Sequence, residues 1–217
     1  MHIDKSNNRF LISYPKAGRT WIRMMLLHYA GEEVVQAAHW LPGVAAKKIN
    51  LKEAEVIYLM RDPRDMIVSM YFELTHRKRK FKGTLSQFIR DDKVGIKSII
   101  THYNKWHAYK GSVKSWHEIW YEEFLEMPRT CLAELLGILG QNVHLPKVEK
   151  VVQDCAFDHM REMEKRGGGK LAAYKGHFGR HWKEGDPESF RCRKGKVGGY
   201  RDYMSPEDIE YCNKWIW

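Results

Sequence analysis

The chain is poor in the residues and runs that mark several large classes of protein. Its 217 residues hold only four cysteines, Cys131, Cys155, Cys192 and Cys212, and no two form a C-x-x-C pair. That spacing argues against a zinc knuckle, a redox dithiol or the disulfide framework of a small secreted domain. The cysteines read as free, mostly buried thiols, because cysteine commonly serves as a small hydrophobe. Eleven histidines include no H-E-x-x-H. His177 and His181 are four apart but lie in a glycine-rich stretch, a poor setting for a metal, so none is expected. No apolar run approaches the ~18 residues a membrane helix needs. Met1 to Lys5 has no apolar signal core, so a soluble, cytoplasmic protein with no membrane partner is expected.

A hydrophobic fraction of 43% and eight tryptophans belong to a folded globular chain. The length suits one domain over residues 1–217 with a sizeable core. A net charge of +10 favours an anionic partner. One dense basic run, His76 to Lys80, stands alone and reads as a solvated loop. Neither paired RNP aromatics nor a helix-turn-helix accompanies it, so no nucleic-acid partner is expected. A polyanionic small molecule remains.

The order of elements points to an α/β fold. Arg9 to Tyr14 is a short, β-leaning apolar run, followed by Pro15 and a turn containing Gly18. From Thr20 to Ala30, Ile22, Met25, Leu26 and Tyr29 fall at helical spacing, and Gly31 is a natural stop. A second buried strand spans Ala54 to Met60; Asp62 and Pro63 then open a helix through Tyr71. Val34 to Ala38 and Val113 to Tyr121 are further strand candidates, and helical patterns occupy 84–110, 128–140, 146–164 and 205–217. Alternation of this kind implies a central, mainly parallel sheet flanked by helices, with ligands beyond the carboxyl ends of the strands. Between 165 and 201 the pattern dissolves into a glycine-rich basic segment, expected to be a lid or binding loop.

The first strand-to-helix loop carries the strongest chemical signal. Residues 13–21, Ser13 to Trp21, keep the register of a phosphate loop, G-x-x-x-x-G-K-[ST]. Ser13 stands for the first glycine, Arg19 for the lysine, and Lys16 enters mid-loop. Backbone N–H groups and a helix N-terminus would still face an anion, with added positive charge.

Here a family resemblance becomes specific. Tyr14-Pro15-Lys16-Ala17-Gly18-Arg19-Thr20-Trp21 resembles the 5′-phosphosulfate loop of the sulfotransferases that use 3′-phosphoadenosine 5′-phosphosulfate (PAPS). Residues 58–71 are similar to that family's 3′-phosphate segment, in which Arg61 ends a strand and Ser69 lies eight residues on, on the helix face of Asp62 and Asp65. Arg193-Lys194-Gly195 to Tyr200 resembles its R-K-G-x-x-G-D-W segment. Trp120-Tyr121-Glu122-Glu123 and Cys155 to Met160 match two further stretches. The resemblance implies a P-loop-containing nucleotide-binding fold. It also implies donor contacts from Lys16, Ala17, Gly18, Arg19, Thr20, Trp21, Arg61, Ser69, Arg193, Lys194 and Gly195. Trp21, Tyr121, Phe157 and Met160 would sandwich the purine.

Ala38-His39-Trp40-Leu41-Pro42 is similar to the family's T-H-L-P segment, whose histidine deprotonates the acceptor. The resemblance thus implies His39 as base and Lys16 as the cation beside the departing 3′,5′-bisphosphoadenosine (PAP), in a metal-free in-line transfer to a sugar or a phenolic or other alcohol. Glu73 is the alternative base. Arg19 departs from the family's usual threonine, Ala37 stands two residues before His39 where the family has lysine, and Gly199-Tyr200 replaces Asp-Trp. Two rival readings are a P-loop kinase, with Asp62 as magnesium ligand, and a non-catalytic polyanion-binding module. The altered loop and the Arg61–Ser69 spacing argue against the kinase.

Overall fold

A computed structural model describes residue 4, residues 6–166 and residues 183–216 of the chain. The middle of the expected basic loop, with His177 and His181, lies outside the described residues. In chain order the main elements are β1 (Arg9–Ser13), α1 (Arg19–Ala30), β2 (Gln36–Ala38), α2 (Pro42–Ala45), β3 (Glu55–Met60) and α3 (Pro63–Phe72). A π-helical turn (Glu73–Arg77) and α4 (Leu85–Arg90), α5 (Ile96–Tyr109), β4 (Ser115–Trp120), α6 (Tyr121–Glu126) and α7 (Pro128–Ile138) follow. The chain continues through α8 (Leu145–Asp154), α9 (Phe157–Lys165) and α10 (Pro206–Ile216). The fold is α/β, with a four-stranded parallel sheet in the order β2-β1-β3-β4.

The chain divides into two compact units, Met1–Asp62 with Lys97–Gln153, and Pro63–Ile96 with Asp154–Trp217. The first holds the whole sheet. Its two inner strands are apolar on both faces: Phe10, Leu11 and Ile12 of β1 and Val56, Ile57, Tyr58 and Leu59 of β3 are all buried. That is the pattern of a parallel sheet covered on both sides. Ile22, Met25 and Leu26 of α1, Trp106 of α5 and Leu132 and Leu135 of α7 are buried in the same unit. Each side chain of this size contributes ~1.5–3 kcal/mol on burial.

Helix α1 ends where expected: Gly31 takes φ 81° and its N–H donates to the Leu27 carbonyl at 2.8 Å. Two expected helices are each broken in two. The pattern over 84–110 stops at Arg90 because the Asp91 carboxylate accepts the N–H groups of Lys93 and Val94 at 2.8 and 3.0 Å. A short acidic side chain here competes successfully with the helical ladder. The pattern over 146–164 breaks between α8 and α9, where Cys155 turns inward and is 1% exposed.

In the second unit, Asp65 of α3 accepts the Gly198 and Tyr200 N–H groups, both at 2.8 Å. It thereby ties a segment of opposite sequence position to the helix. Glu164 of α9, wholly buried, does the same for the N–H groups of Arg191 and Cys192 at 2.7 and 2.9 Å.

Candidate functional site

The parallel registers decide what meets at the carboxyl ends of the strands. Ile12 of β1 pairs with Ala38 of β2, so one residue further on Ser13 stands beside His39. The His39 Nδ1 lies 2.7 Å from the Ser13 carbonyl oxygen, and its Nε2 lies 2.7 Å from the Arg19 guanidinium. A carbonyl can only accept and a guanidinium only donate, so the ring is the neutral tautomer with its proton on Nδ1. On the exit from β2, the Trp106 indole N–H donates to the Trp40 carbonyl at 2.7 Å and holds the segment that carries the imidazole.

Between β1 and α1 the loop is bent twice into left-handed backbone, at Lys16 (φ 75°) and Gly18 (φ 97°). Lysine adopts that conformation at a cost of ~1–3 kcal/mol. The Arg61 Nη1 donates to the Lys16 carbonyl at 3.1 Å and pins the bend. Gly18 is required by both backbone and space, since a Cβ there would collide with the Tyr121 ring. Gly18 also precedes α1 without a side-chain cap, and its carbonyl accepts the Trp21 and Ile22 N–H groups at 2.9 and 3.3 Å, so the helix starts directly at the loop.

Arg61 follows β3 and Tyr121 follows β4, whose ends are paired through Met60 and Trp120. The guanidinium carbon lies 4.2 Å from the Tyr121 ring centroid. Tyr103 of α5 clasps the Arg61 backbone, accepting its N–H at 3.0 Å and donating to its carbonyl at 2.8 Å. Burial raises the Tyr103 hydroxyl's pKa well above the usual phenol range, which keeps it a donor. Glu122 accepts the Asp62 N–H at 2.9 Å, and burial raises its carboxyl pKa above the ordinary range. The Trp21 ring meets the edges of Tyr121 and Phe124, with centroids 5.8 and 6.4 Å away. Among the described residues, the buried Ser13 Oγ and Arg61 Nε have no hydrogen-bond partner.

The remaining expected site residues lie in the second unit. Arg193 is largely buried, donating from Nη1 to Glu188 at 2.9 Å and to the Tyr203 hydroxyl at 2.7 Å. Its guanidinium carbon sits 4.5 Å from the Phe72 ring centroid, and its buried Nε has no partner among the described residues. Lys194 reaches Asp202 at 3.1 Å. Gly195 (φ 58°) lies flat on Phe157, where an added Cβ would come within 2.5 Å of the ring. Met160 is buried and Ser69 is half-buried on α3. Glu73, the alternative base, is paired to Lys78 at 2.6 Å.

The structure therefore groups Lys16, Ala17, Gly18, Arg19, Thr20, Trp21, His39, Arg61 and Tyr121 in one unit. Ser69, Phe157, Met160, Arg193, Lys194 and Gly195 are carried by the other. Sequence reasoning gave no role to Tyr103, Asp65, Glu164 or Glu188, which hold these residues in place. No local pattern marks them: Tyr103, Asp65 and Glu164 act through partners 27 to 135 residues away, and Glu188 meets Arg193 five residues on in irregular chain. Among the described residues, no three His, Cys, Asp or Glu side chains gather as a metal ion would need. None of their helices is long and apolar enough to cross a membrane.

A parallel α/β sheet whose first strand leads through a sharply bent loop into a helix is a fold of the P-loop-containing class. The sulfotransferase domain family matches residues 32–217, and the chain belongs to that family of enzymes. The match begins after the first loop, but full-length relatives extend across it. Rabbit (Oryctolagus cuniculus) amine sulfotransferase is 22% identical over 95% of this chain and 78% of its own length. Human sulfotransferase 2B1 is 25% identical over 72% of this chain and 53% of its own length. Among solved structures, a mouse sulfotransferase complexed with PAP superposes with a TM-score of 0.72 at 19% identity, covering 98% of this chain and 83% of that one. A retinol dehydratase in complex with androsterone and PAP gives 0.72 at 16% identity, covering 99% and 80%.

Proposed function

We propose that residues 1–217 work as one sulfotransferase domain that moves a sulfonate from PAPS to an acceptor hydroxyl. The observation that carries this is the sheet register, which gathers the 13–21 loop, Arg61, Tyr121 and His39 at the carboxyl ends of the strands. Three features support an anionic nucleotide there. Left-handed backbone at Lys16 and Gly18 bends the loop, the α1 N-terminus carries partial positive charge, and the buried Ser13 Oγ and Arg61 Nε have no hydrogen-bond partner among the described residues. A buried donor left unsatisfied costs ~1–3 kcal/mol, which a phosphate oxygen would recover. Two solved relatives hold PAP, which agrees with the same donor for this chain.

In this reading the acceptor oxygen gives its proton to His39 Nε2 as it bonds to sulfur. The bond from sulfur to the bridging phosphate oxygen breaks in line, and 3′,5′-bisphosphoadenosine leaves. The Nδ1–H bond to the Ser13 carbonyl presets the tautomer this requires, with the lone pair on Nε2. Lys16 supplies positive charge to the bridging oxygen, and positioning does most of the remaining work. Trp21 and Tyr121 supply apolar surface for the base. A cytoplasmic location fits the names of two Arabidopsis thaliana relatives, cytosolic sulfotransferases 17 and 16.

Calorimetry in EDTA tests the donor. 3′,5′-Bisphosphoadenosine should bind much more tightly than AMP, and equal affinity for the two would remove the case for a 3′-phosphate site. A screen of alcohols, phenols, sugars and amines with radiolabelled donor then identifies the acceptor.

A further inference from the structure

We infer that Arg19 is a positioning residue that holds the proton-accepting nitrogen of His39 and releases it when an anion loads the first loop, so that the donor unmasks the base. The inference rests on the donor reading above and goes beyond it, because it assigns the order in which the site becomes competent.

The tautomer sets the problem. With its proton on Nδ1 and bonded to the Ser13 carbonyl, His39 has one basic atom, Nε2. That atom accepts a hydrogen bond from the Arg19 guanidinium at 2.7 Å. An acceptor hydroxyl cannot use a lone pair that is already engaged, so Arg19 must move before His39 can act. His39 is the more firmly held partner: register and the Trp106 bond fix the backbone at Ala38 and Trp40, and the Nδ1 bond to the Ser13 carbonyl holds the ring.

Arg19 is also placed to answer an anion. It is the first residue of α1 and directly follows Gly18, so its backbone lies at the positive end of the helix dipole. Its long side chain can reach either the imidazole or an oxyanion on the loop. The choice between them is energetic. A guanidinium bond to a charged oxygen is roughly twice as strong as one to a neutral acceptor, and it can be bidentate. Loading a phosphate or phosphosulfate therefore shifts Arg19 away from the imidazole, by its differential affinity for the two arrangements. A small neutral residue at position 19 would leave Nε2 open at all times and remove this coupling.

The test is nitrogen NMR on the full chain labelled with [15N]histidine, with the His39 signals assigned by loss in His39→Gln. In the free protein the expected spectrum is the Nδ1–H tautomer with a hydrogen-bonded Nε2. Saturation with 3′,5′-bisphosphoadenosine should move the Nε2 resonance away from its bonded position while Nδ1 stays in place. In Arg19→Thr, Nε2 should start near where the loaded parent ends and move little on saturation. Arg19→Met, which keeps the length without the donors, serves if the threonine variant folds poorly. A parental Nε2 that ignores the bound nucleotide overturns the inference, as does an equal shift in the Arg19 variants or an Nε2–H tautomer in the free protein. Calorimetry on the same samples separates the two levels. Absence of binding defeats the donor reading and the hand-over with it, whereas binding without movement of Nε2 defeats the hand-over alone.

Discussion

Gly18→Ala adds one methyl group at the tightest point of the first loop, and its two costs can be separated. The backbone at Gly18 has φ 97°, a conformation that costs an L-residue ~1–2 kcal/mol. The new Cβ would also collide with the Tyr121 ring. That ring is 8% exposed, with the Arg61 guanidinium 4.2 Å from its centroid and Trp21 against its edge. It has little room to retreat, so an overpacking cost of ~1–3 kcal/mol is expected. Together the two should lower stability by ~2–5 kcal/mol, read by urea unfolding. Tyr121→Ala alone should cost ~3–5 kcal/mol as a buried ring is lost. In the double variant the collision disappears while the backbone cost remains, so its loss should fall short of the two single losses combined by ~1–3 kcal/mol. Additivity within ~0.3–0.5 kcal/mol would refute the steric argument. A Gly18→Ala cost below ~1 kcal/mol would refute the backbone argument too.

The site makes further predictions. His39→Ala should cut turnover by ~10²–10⁴-fold while calorimetry shows bisphosphate affinity nearly unchanged, since in the proposed reaction the imidazole acts on the acceptor; near-parental turnover would send the search for a base to Glu73. Asp65→Ala should lower stability by about 3 kcal/mol, read by urea unfolding, because two N–H groups at Gly198 and Tyr200 lose a charged acceptor. Burial of His102 lowers its imidazole to about 4 from the ordinary 6.5. Below pH 6.5 the unfolded chain gains a proton that the folded chain refuses, so this contribution is complete above 6.5 and is lost as pH falls towards 4. The loss reaches about 3 kcal/mol, and His102→Gln should flatten that part of a stability-against-pH curve from urea unfolding.

Legibility in the sequence followed the range of the interaction responsible. Apolar runs at Arg9–Ser13 and Glu55–Met60, the helical spacing behind Gly18 and the stop at Gly31 are local patterns, and they are enough to specify strand, loop and helix. The loop's departure from glycine and lysine at Ser13 and Arg19 was equally visible, as was the histidine after β2. Where a side chain competed with the backbone, at Asp91, periodicity alone ran two helices together. Tertiary structure alone decided the partners. His39 takes its tautomer from a carbonyl 26 residues away, Arg61 is clasped by a tyrosine 42 residues on, and Asp65 binds N–H groups 133 and 135 residues later. Such bonds leave no periodic trace, because either partner alone is an ordinary polar residue. Only strand register and helix packing give them a common place, and for the same reason the engagement of His39 by Arg19 could not be read from the chain.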